Sequence, residues 1–177
     1  MSAGYHDLRS IDIAVAAVFT ALALMIPLLF RGALQIVIPA VGYSATLASH
    51  VPVMLSIMFG PLVAAIVGTA STFGFLATLG PVVGARAATH IVWGVAAAFA
   101  VKKGMSFPKA LFFIALPIHA ILEGLVVISF GIPWEGALIN IVGTAIHHTI
   151  DSLISIVVLK AALPLIRTLK PRAKSTM

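Results

Sequence analysis

The sequence predicts an all-α membrane protein, a single domain over residues 1–177 built as a bundle of six transmembrane helices with both termini in the cytoplasm. The first observation is composition: the chain is 61% hydrophobic and 9% charged, with a mean hydropathy of +1.16. No water-soluble domain of this size covers so much apolar surface with so few charged residues. The second observation is that the apolar residues form separate runs, most of them long enough to cross a bilayer as a helix of roughly 17–25 residues.

The breaks between the apolar runs place the six helices. The predicted helices cover approximately residues 12–30, 44–59, 62–79, 82–101, 110–131 and 137–163. Gly60-Pro61 and Gly80-Pro81 separate the second, third and fourth runs, because proline interrupts a helix and glycine is conformationally free. The second run is short for a span. Ahead of it, Ile36-Val37-Ile38 is apolar and is expected to dip into the membrane interface as part of a loop.

The distribution of basic residues predicts the orientation. Six crossings put both termini on one side, together with most of the basic residues. These are Arg9, Lys102, Lys103, Lys109, Lys160, Arg167, Lys170, Arg172 and Lys174. Only Arg31 and Arg86 lie toward the other side, so the positive-inside rule places both termini in the cytoplasm. The net charge of +6 is then a topology signal that also contacts anionic lipid, and nucleic-acid binding is not expected.

The sequence argues against an enzyme. The chain has no cysteine, which excludes disulfides, thiolate metal sites and cysteine catalysis. It has only five acidic residues and no serine-hydrolase, zinc-protease or nucleotide-binding motif. We therefore assign no catalytic residue and no bound cofactor, and the chain cannot use ATP by itself. The first apolar run is too long for a cleavable signal peptide and lacks a cleavage site.

Several polar side chains are predicted to lie at membrane depth, in the outer half of the bilayer. Counting about 1.5 Å per helical residue puts them roughly 6–12 Å from the outer helix ends. The residues are His50, Arg86, His90, Glu123 and Asn140. Polar groups at this depth are costly and normally face a bundle interior or a cavity. Their presence on four different helices predicts a ligand pocket open to the outside.

Helical spacing places these groups on shared faces. Arg86 and His90 are four residues apart, as are His119 and Glu123, so each pair lies on one helix face. The sixth helix carries a third polar stripe formed by Asn140, His147 and Asp151. His148 points about 100° away from His147 and is expected to be structural.

Each of these residues can also have a purely structural role that involves no ligand. Arg86 can snorkel to the outer surface instead of lining a pocket. The pairs His119–Glu123 and His147–Asp151 can satisfy each other and simply lock the bundle. Several histidines together can bind nickel or cobalt, but the ligands would have to converge from four helices, which a sequence does not show. We therefore predict no metal site.

Two alanines of the first helix form a small-residue pair. Ala17 and Ala21 are four residues apart, and small residues at this spacing allow another helix to approach closely. Packing inside the bundle explains this pattern as well as a contact with a partner does.

Taken together, these features resemble the S components of energy-coupling factor (ECF) vitamin transporters. The resemblance rests on six short helices in 177 residues, cytoplasmic termini, the Ala17/Ala21 pair and the lack of an ATPase motif. Residues 46–52 (Thr-Leu-Ala-Ser-His-Val-Pro), Gly60-Pro61 and residues 86–90 (Arg-Ala-Ala-Thr-His) are similar to the niacin-type members.

The resemblance implies a non-enzymatic subunit in the plasma membrane of a prokaryote. Such a subunit binds a vitamin with high affinity in a pocket closed by the loops after helices one, three and five. It works with a transmembrane T component, which the alanine face contacts, and with two cytoplasmic ATPases that use the ATP. Nickel and cobalt members bind metal through a histidine next to the initiator methionine. Here Ser2 stands there and the nearest histidine is His6, which argues against a metal cargo.

For a nicotinate-like ligand, we expect Arg86 to hold the carboxylate with two hydrogen bonds. Protonated His90 or His50 would donate to the ligand, and Asn140 and Glu123 would orient these groups. Loop aromatic residues would cover the ring. The complete set of predicted binding residues is Arg86, His90, His50, Glu123, Asn140, His147, Tyr43 and Trp134.

Three alternatives stay open. The ligand can be another vitamin, such as a relative of pyridoxine or pantothenate. The chain can be a stand-alone secondary transporter driven by protons, with Glu123, Asp151 and the histidines as the relay. The third alternative, an intramembrane enzyme, is the weakest because no motif supports it.

Overall fold

The computed structural model describes residues 10–169, with side chains through residue 164. The terminal stretches 1–9 and 170–177, on which the predicted position of both termini depends, lie outside the described residues, as does the side chain of Arg167. The elements are α1 (Ser10–Leu29), β1 (Gln35–Ile38), β2 (Tyr43–Thr46), α2 (Val51–Ser56), α3 (Pro61–Leu79), α4 (Pro81–Lys102), α5 (Phe107–Ser129) and α6 (Trp134–Leu169). Within α5, one π-helical turn covers Leu111–Ala115.

Five of these helices, α1 and α3 to α6, are long and apolar enough to cross a membrane. Large apolar side chains cover their outer surfaces: Phe73 is 64% exposed, Phe113 71% and Val157 67%. A surface of this kind is stable against lipid and not against water. The prediction of a mostly helical, multi-pass membrane protein is confirmed.

The predicted helix over residues 44–59 is wrong. Its first residues form β2, which pairs antiparallel with β1 to make a hairpin, and a turn then leads into α2 and a 3-10 turn at Ile57–Phe59. Val51–Phe59 extends only about 13 Å as a helix, less than half of the ~30 Å hydrocarbon core. Every residue of α2 is buried. The apolar character of this segment therefore reflects burial inside the bundle, and the count of six spanning helices is not confirmed.

Close glycine contacts fix the directions of α1, α3 and α4. A Cβ atom on Gly74 would lie 2.5 Å from the Leu24 side chain, so α1 and α3 run parallel and in contact. A Cβ atom on Gly84 would lie 2.8 Å from the backbone of Leu76, near the end of α3. The helices α3 and α4 are thus an antiparallel pair joined at Gly80.

The remaining helices continue the alternation. Gly124 of α5 accommodates Ile141 of α6, where a Cβ atom would lie 2.5 Å away, and the two helices run antiparallel. Arg86 of α4 contacts Glu123 of α5 close to the point where α5 ends. One end of the bundle therefore holds the hairpin, the ends of α1, α3 and α5 and the starts of α4 and α6. We call it the hairpin end.

The chain returns from the hairpin end to the opposite end through the hairpin and α2 together. Phe59, after α2, packs on Phe19 of α1 with ring centroids 5.8 Å apart, and α3 starts directly afterwards. The described chain consequently begins and finishes at the same end, opposite the hairpin. Exposed lysines gather at that end in the described part of the chain: Lys102, Lys103, Lys109 and Lys160.

Gly84→Ala is expected to lower the stability of the bundle, because the added methyl group meets the backbone of Leu76 and forces α3 and α4 apart. Overpacking of this kind costs about 1–3 kcal/mol. The measurement is thermal unfolding of the detergent-solubilised protein. Gly94→Ala on the same helix is the control, since its nearest neighbours are side-chain atoms of Val53 and Ala64 at 3.7 and 3.8 Å. Equal melting temperatures for the two variants would contradict the close approach at Gly84.

Candidate ligand-binding pocket

A pocket with polar and apolar side chains in its lining lies between the hairpin and helices α1, α3, α4, α5 and α6. Its cavity volume is about 70 Å³, which holds roughly five to seven water molecules. Most of the predicted binding residues line it: Tyr43, His50, Arg86, His90, Glu123 and His147. The hairpin also contributes Gln35, Ser44 and Thr46, which the sequence analysis did not select.

Two predicted binding residues lie elsewhere. Asn140 is fully buried, and its side-chain amide donates to the carbonyl oxygens of Val41, at 2.7 Å, and Gly136, at 3.0 Å. It therefore fastens the hairpin turn to α6 and is not among the residues that line the pocket. Trp134, at the start of α6, is 58% exposed and does not line it either.

Arg86 attaches the hairpin to the helices. Its Nε donates to Glu123 of α5. Its Nη1 donates to the carbonyl oxygen of Gly42 at 3.0 Å and to the Ser44 hydroxyl at 3.2 Å, and its Nη2 donates to the Ser44 carbonyl at 3.1 Å. Most of the guanidinium donors are therefore used inside the protein. The residue is 7% exposed, which excludes the alternative that it snorkels to the surface.

Tyr43 covers Arg86 from the hairpin side. The guanidinium carbon lies 5.8 Å from the centre of the tyrosine ring, within the range of a cation–π contact. The ring packs closely on Gly143 of α6, where a Cβ atom would lie 2.7 Å away. Burial raises the pKa of the Tyr43 hydroxyl, and the nearby Arg86 opposes that shift. Tyr43 stays a neutral donor at physiological pH.

Five histidines meet beneath this layer, with His50 at the centre. The ring centroid of His50 lies 4.9 Å from that of His90 and 4.7 Å from that of His119. It lies 4.6 Å from His147 and 6.3 Å from His148. The rings come from the turn before α2 and from α4, α5 and α6. The convergence that the sequence did not show is therefore present in the structure.

His148 belongs to this cluster, although the sequence analysis treated it as structural. Its Nδ1 lies 3.0 Å from the Nδ1 of His119, and both rings are fully buried. One of the two nitrogens must donate and the other must accept, so the two imidazoles hold opposite tautomers when both are neutral. Trp93 packs on both rings, with centroid distances of 5.3 Å.

Asp151 organises the turn that carries His50. Its carboxylate accepts hydrogen bonds from the backbone amides of Ala48, at 2.8 Å, and His50, at 3.0 Å. It also lies 3.2 Å from the Nδ1 of His50 and 3.3 Å from the Nε2 of His147. Ala48 has φ of 65°, a left-handed conformation that an L residue adopts only when its surroundings hold it there. The predicted His147–Asp151 pair is thus present, and it also serves this turn.

The second predicted pair behaves in a similar way. The Nε2 of His119 lies 3.4 Å from Glu123, which also pairs with Arg86. Glu123 therefore joins α4 and α5 through one carboxylate. Its two contacts connect the arginine layer under the hairpin with the histidine layer below it.

The Ala17/Ala21 pair faces outward. Both residues are exposed, while Ala16 and Ala23 on the neighbouring face are buried within the bundle. Packing inside this chain therefore does not account for the pair. The flat strip it forms is available to another helix or to lipid.

A bundle of apolar helices that encloses a polar pocket reached from one end defines a membrane protein that binds or transports a small molecule. The chain is 34% identical over 157 residues to the curated niacin transporter NiaX of Lactococcus lactis subsp. cremoris (strain MG1363), across 79% of this chain and 69% of that protein. It belongs to that family, the niacin-type S components of vitamin transporters. No family model and no solved structure matches the chain.

Proposed function

We propose that this chain binds nicotinate in the pocket at the hairpin end and delivers it, together with partner subunits, for ATP-driven import. The observation that carries the proposal is the identity to a niacin transporter over most of the chain. The pocket supports it because its lining combines an arginine, hydroxyl groups and several aromatic or imidazole rings. The Ser49 hydroxyl lies 3.2 Å from the Nε2 of His147, but that same nitrogen also lies 3.3 Å from Asp151, so the three groups lack the geometry of a hydrolase triad, and we expect the substrate to be bound without conversion.

The size of the pocket favours a single small ring. Space for roughly five to seven waters corresponds to about 150–200 Å³ of liquid, enough for one substituted pyridine and too little for a nucleotide. The planar ligand would lie among the imidazoles of His50, His90 and His147. Offset and edge-on ring contacts of this type add about 0.5–1.5 kcal/mol each to the apolar burial.

The carboxylate of nicotinate would lie toward Arg86. The hydrogen bonds described for this guanidinium leave one Nη2 hydrogen for a ligand, so Arg86 supplies one charge-assisted bond and not the bidentate grip expected from the sequence. The Ser44 hydroxyl and a histidine N–H provide further donors at the same wall. Binding in this position would tie the ligand to the hairpin.

Import would depend on partners. The exposed Ala17/Ala21 strip supplies a flat contact for a transmembrane T component, and two ATPases on the cytoplasmic side would use the ATP. The lysines opposite the hairpin support a cytoplasmic position for that end, by the positive-inside rule. The pocket would then open to the outside of a prokaryotic plasma membrane.

The test separates binding from transport. The purified chain is titrated calorimetrically with nicotinate, nicotinamide, pyridoxine and pantothenate, and nicotinate is expected to bind at least about tenfold more tightly than the others. Vesicles that contain only this chain are expected to take up no nicotinate, and vesicles that also contain the T component and ATPases take it up when ATP is inside. Proton-driven uptake by the chain alone would support a secondary transporter and overturn the proposal.

A further inference from the structure

We propose that the imidazoles of His50, His90 and His119 bind one divalent transition-metal ion inside the pocket. We further infer that this ion offers an open coordination position to the carboxylate of the vitamin, an extension that rests on the proposed function. The metal site itself stands independently of the ligand.

The geometry brings three ligands together from three elements. One ring nitrogen from each of the three histidines lies within 4.8 Å of the other two. Metal–nitrogen bonds of about 2.0–2.1 Å require nitrogens roughly 3.4 Å apart, so each nitrogen has to move inward by at most about 0.8 Å. Rotations of the side chains supply such a shift, and the backbone does not have to move.

Unpartnered nitrogens point to a missing occupant. The Nδ1 atoms of His50 and His90 and the Nε2 atom of His119 are buried and have no hydrogen-bond partner. A buried polar atom without a partner is rare and normally has a ligand, a water or an ion beside it. Three orphaned imidazole nitrogens on rings that pack edge to face fit an occupant that accepts lone pairs from all of them. Imidazole is the preferred ligand of zinc, nickel, copper and iron.

Two carboxylates lie beside the candidate ligand nitrogens. Asp151 lies 3.2 Å from the Nδ1 of His50, and Glu123 lies 3.4 Å from the Nε2 of His119, in neither case with hydrogen-bond geometry. They would add negative charge next to the ion. The second ring nitrogen of His119, its Nδ1, lies 3.0 Å from the Nδ1 of His148, a contact that orients the ring as such partners do in metal sites.

A second candidate group, His50 with His147 and Asp151, is less available. The Nε2 of His147 lies 3.2 Å from the Ser49 hydroxyl, and Asp151 already accepts two backbone amides. Its ligand atoms are thus engaged in holding the turn before α2. In the three-histidine group, one ring nitrogen of each histidine has no hydrogen-bond partner.

The charges of the pocket favour a cation. Arg86 is balanced by Glu123, and Asp151 adds a further buried negative charge. With neutral imidazoles, an anionic vitamin would enter a pocket whose net charge is negative. A divalent ion reverses that sign and gives the carboxylate a partner that Arg86, with one free hydrogen, only partly provides. The site differs from the amino-terminal metal site that Ser2 argues against, and the ion is resident and not cargo.

The test uses the full-length chain with an affinity tag that contains no histidine. The protein is stripped with a chelator, reloaded with Co²⁺ or Zn²⁺, desalted, and analysed by plasma mass spectrometry. We expect about one ion per chain, with Co²⁺ absorption bands between about 500 and 650 nm that report nitrogen ligands. His90→Gln and His119→Gln are expected to lower the metal affinity about tenfold or more. His6→Gln, outside the described residues, is the matched control and should retain the ion.

Two further measurements distinguish the loss of metal ligands from the loss of folding. Gel filtration and tryptophan fluorescence establish that each variant is folded. A folded wild-type protein with less than about one-tenth of an ion per chain, or a triple variant of the three ligands that retains the ion, would overturn the metal site. The same holds if His6→Gln removes the ion, since the metal would then lie elsewhere.

Nicotinate titration in the stripped and reloaded protein tests the open coordination position. Affinity is expected to rise about tenfold or more on reloading. An equal affinity in both states would overturn the open position. Metal binding without any nicotinate binding would overturn the proposed function and leave the metal site standing.

Discussion

Arg86→Ala is expected to lower nicotinate affinity roughly a hundredfold and to destabilise the protein by about 3–5 kcal/mol. The substitution leaves the buried Glu123 carboxylate without its cation and frees the carbonyl oxygens of Gly42 and Ser44 that hold the hairpin. Calorimetric titration measures the first effect, and thermal unfolding in detergent measures the second. Unchanged affinity would remove Arg86 from the ligand site.

A double variant separates the two roles of this arginine. Replacing a buried ion pair by neutral side chains of similar volume is often neutral for stability. Arg86→Met combined with Glu123→Gln is therefore expected to recover most of the melting temperature lost in Arg86→Ala, while nicotinate binding stays weak. If binding also returned to the wild-type level, Arg86 would act only by holding the hairpin.

Asp151→Ala is expected to be the most destabilising single substitution in the histidine layer, by about 3–5 kcal/mol, and to abolish binding. It removes the acceptor of two buried backbone amides, at Ala48 and His50, and each orphaned donor costs roughly 1–3 kcal/mol. The left-handed conformation of Ala48 then loses the hydrogen bond of its own amide, so the ring of His50 is expected to leave its place. Thermal unfolding and nicotinate titration are the measurements.

Ser155→Ala, one turn further along α6, is the matched control for Asp151→Ala. The Ser155 hydroxyl bonds to a carbonyl of its own helix and to the sulfur of Met54, so its loss is expected to cost about 1 kcal/mol or less. Ala48→Gly is expected to stabilise the protein slightly, because glycine adopts a positive φ without strain. A stable, ligand-binding Asp151→Ala protein would show that the turn is held by other contacts.

The helix boundaries were predictable where Gly-Pro pairs mark them. The predicted ranges 62–79 and 82–101 agree closely with α3 (Pro61–Leu79) and α4 (Pro81–Lys102). Both helices start at a proline, which fits the first turn because its missing N–H is not needed there. Such boundaries depend on the residues next to them in the chain, so they can be read from the sequence.

The hairpin was not predictable from the same signals. Its strands have four residues each and pair Gln35 with Thr46 and Ile38 with Tyr43. The apolar residues that follow resemble the start of a short span, because burial in protein and burial in lipid select the same side chains. Pairing between strands is a property of three-dimensional contacts, and composition does not distinguish the two environments.

The sequence predicted which polar residues share a face of one helix, but not which residues of different helices are in contact. Arg86 and His90 share a face as predicted, and so do His119 and Glu123. The contact between Arg86 and Glu123 depends on how α4 and α5 are aligned, which packing decides. The prediction that His148 is structural was wrong for the same reason. Helical spacing gives its angle relative to His147, but its contact with His119 depends on how α5 packs against α6.

The layer beneath the histidines has a consequence for transport. Trp93, Met54 and Leu111 are completely buried there. If the pocket binds the vitamin as proposed, we expect the cargo to enter and leave by the same mouth. An inner gate would have to separate these buried side chains, so we expect delivery to occur when the whole subunit tilts and the mouth itself changes sides, as the resemblance to S components implies.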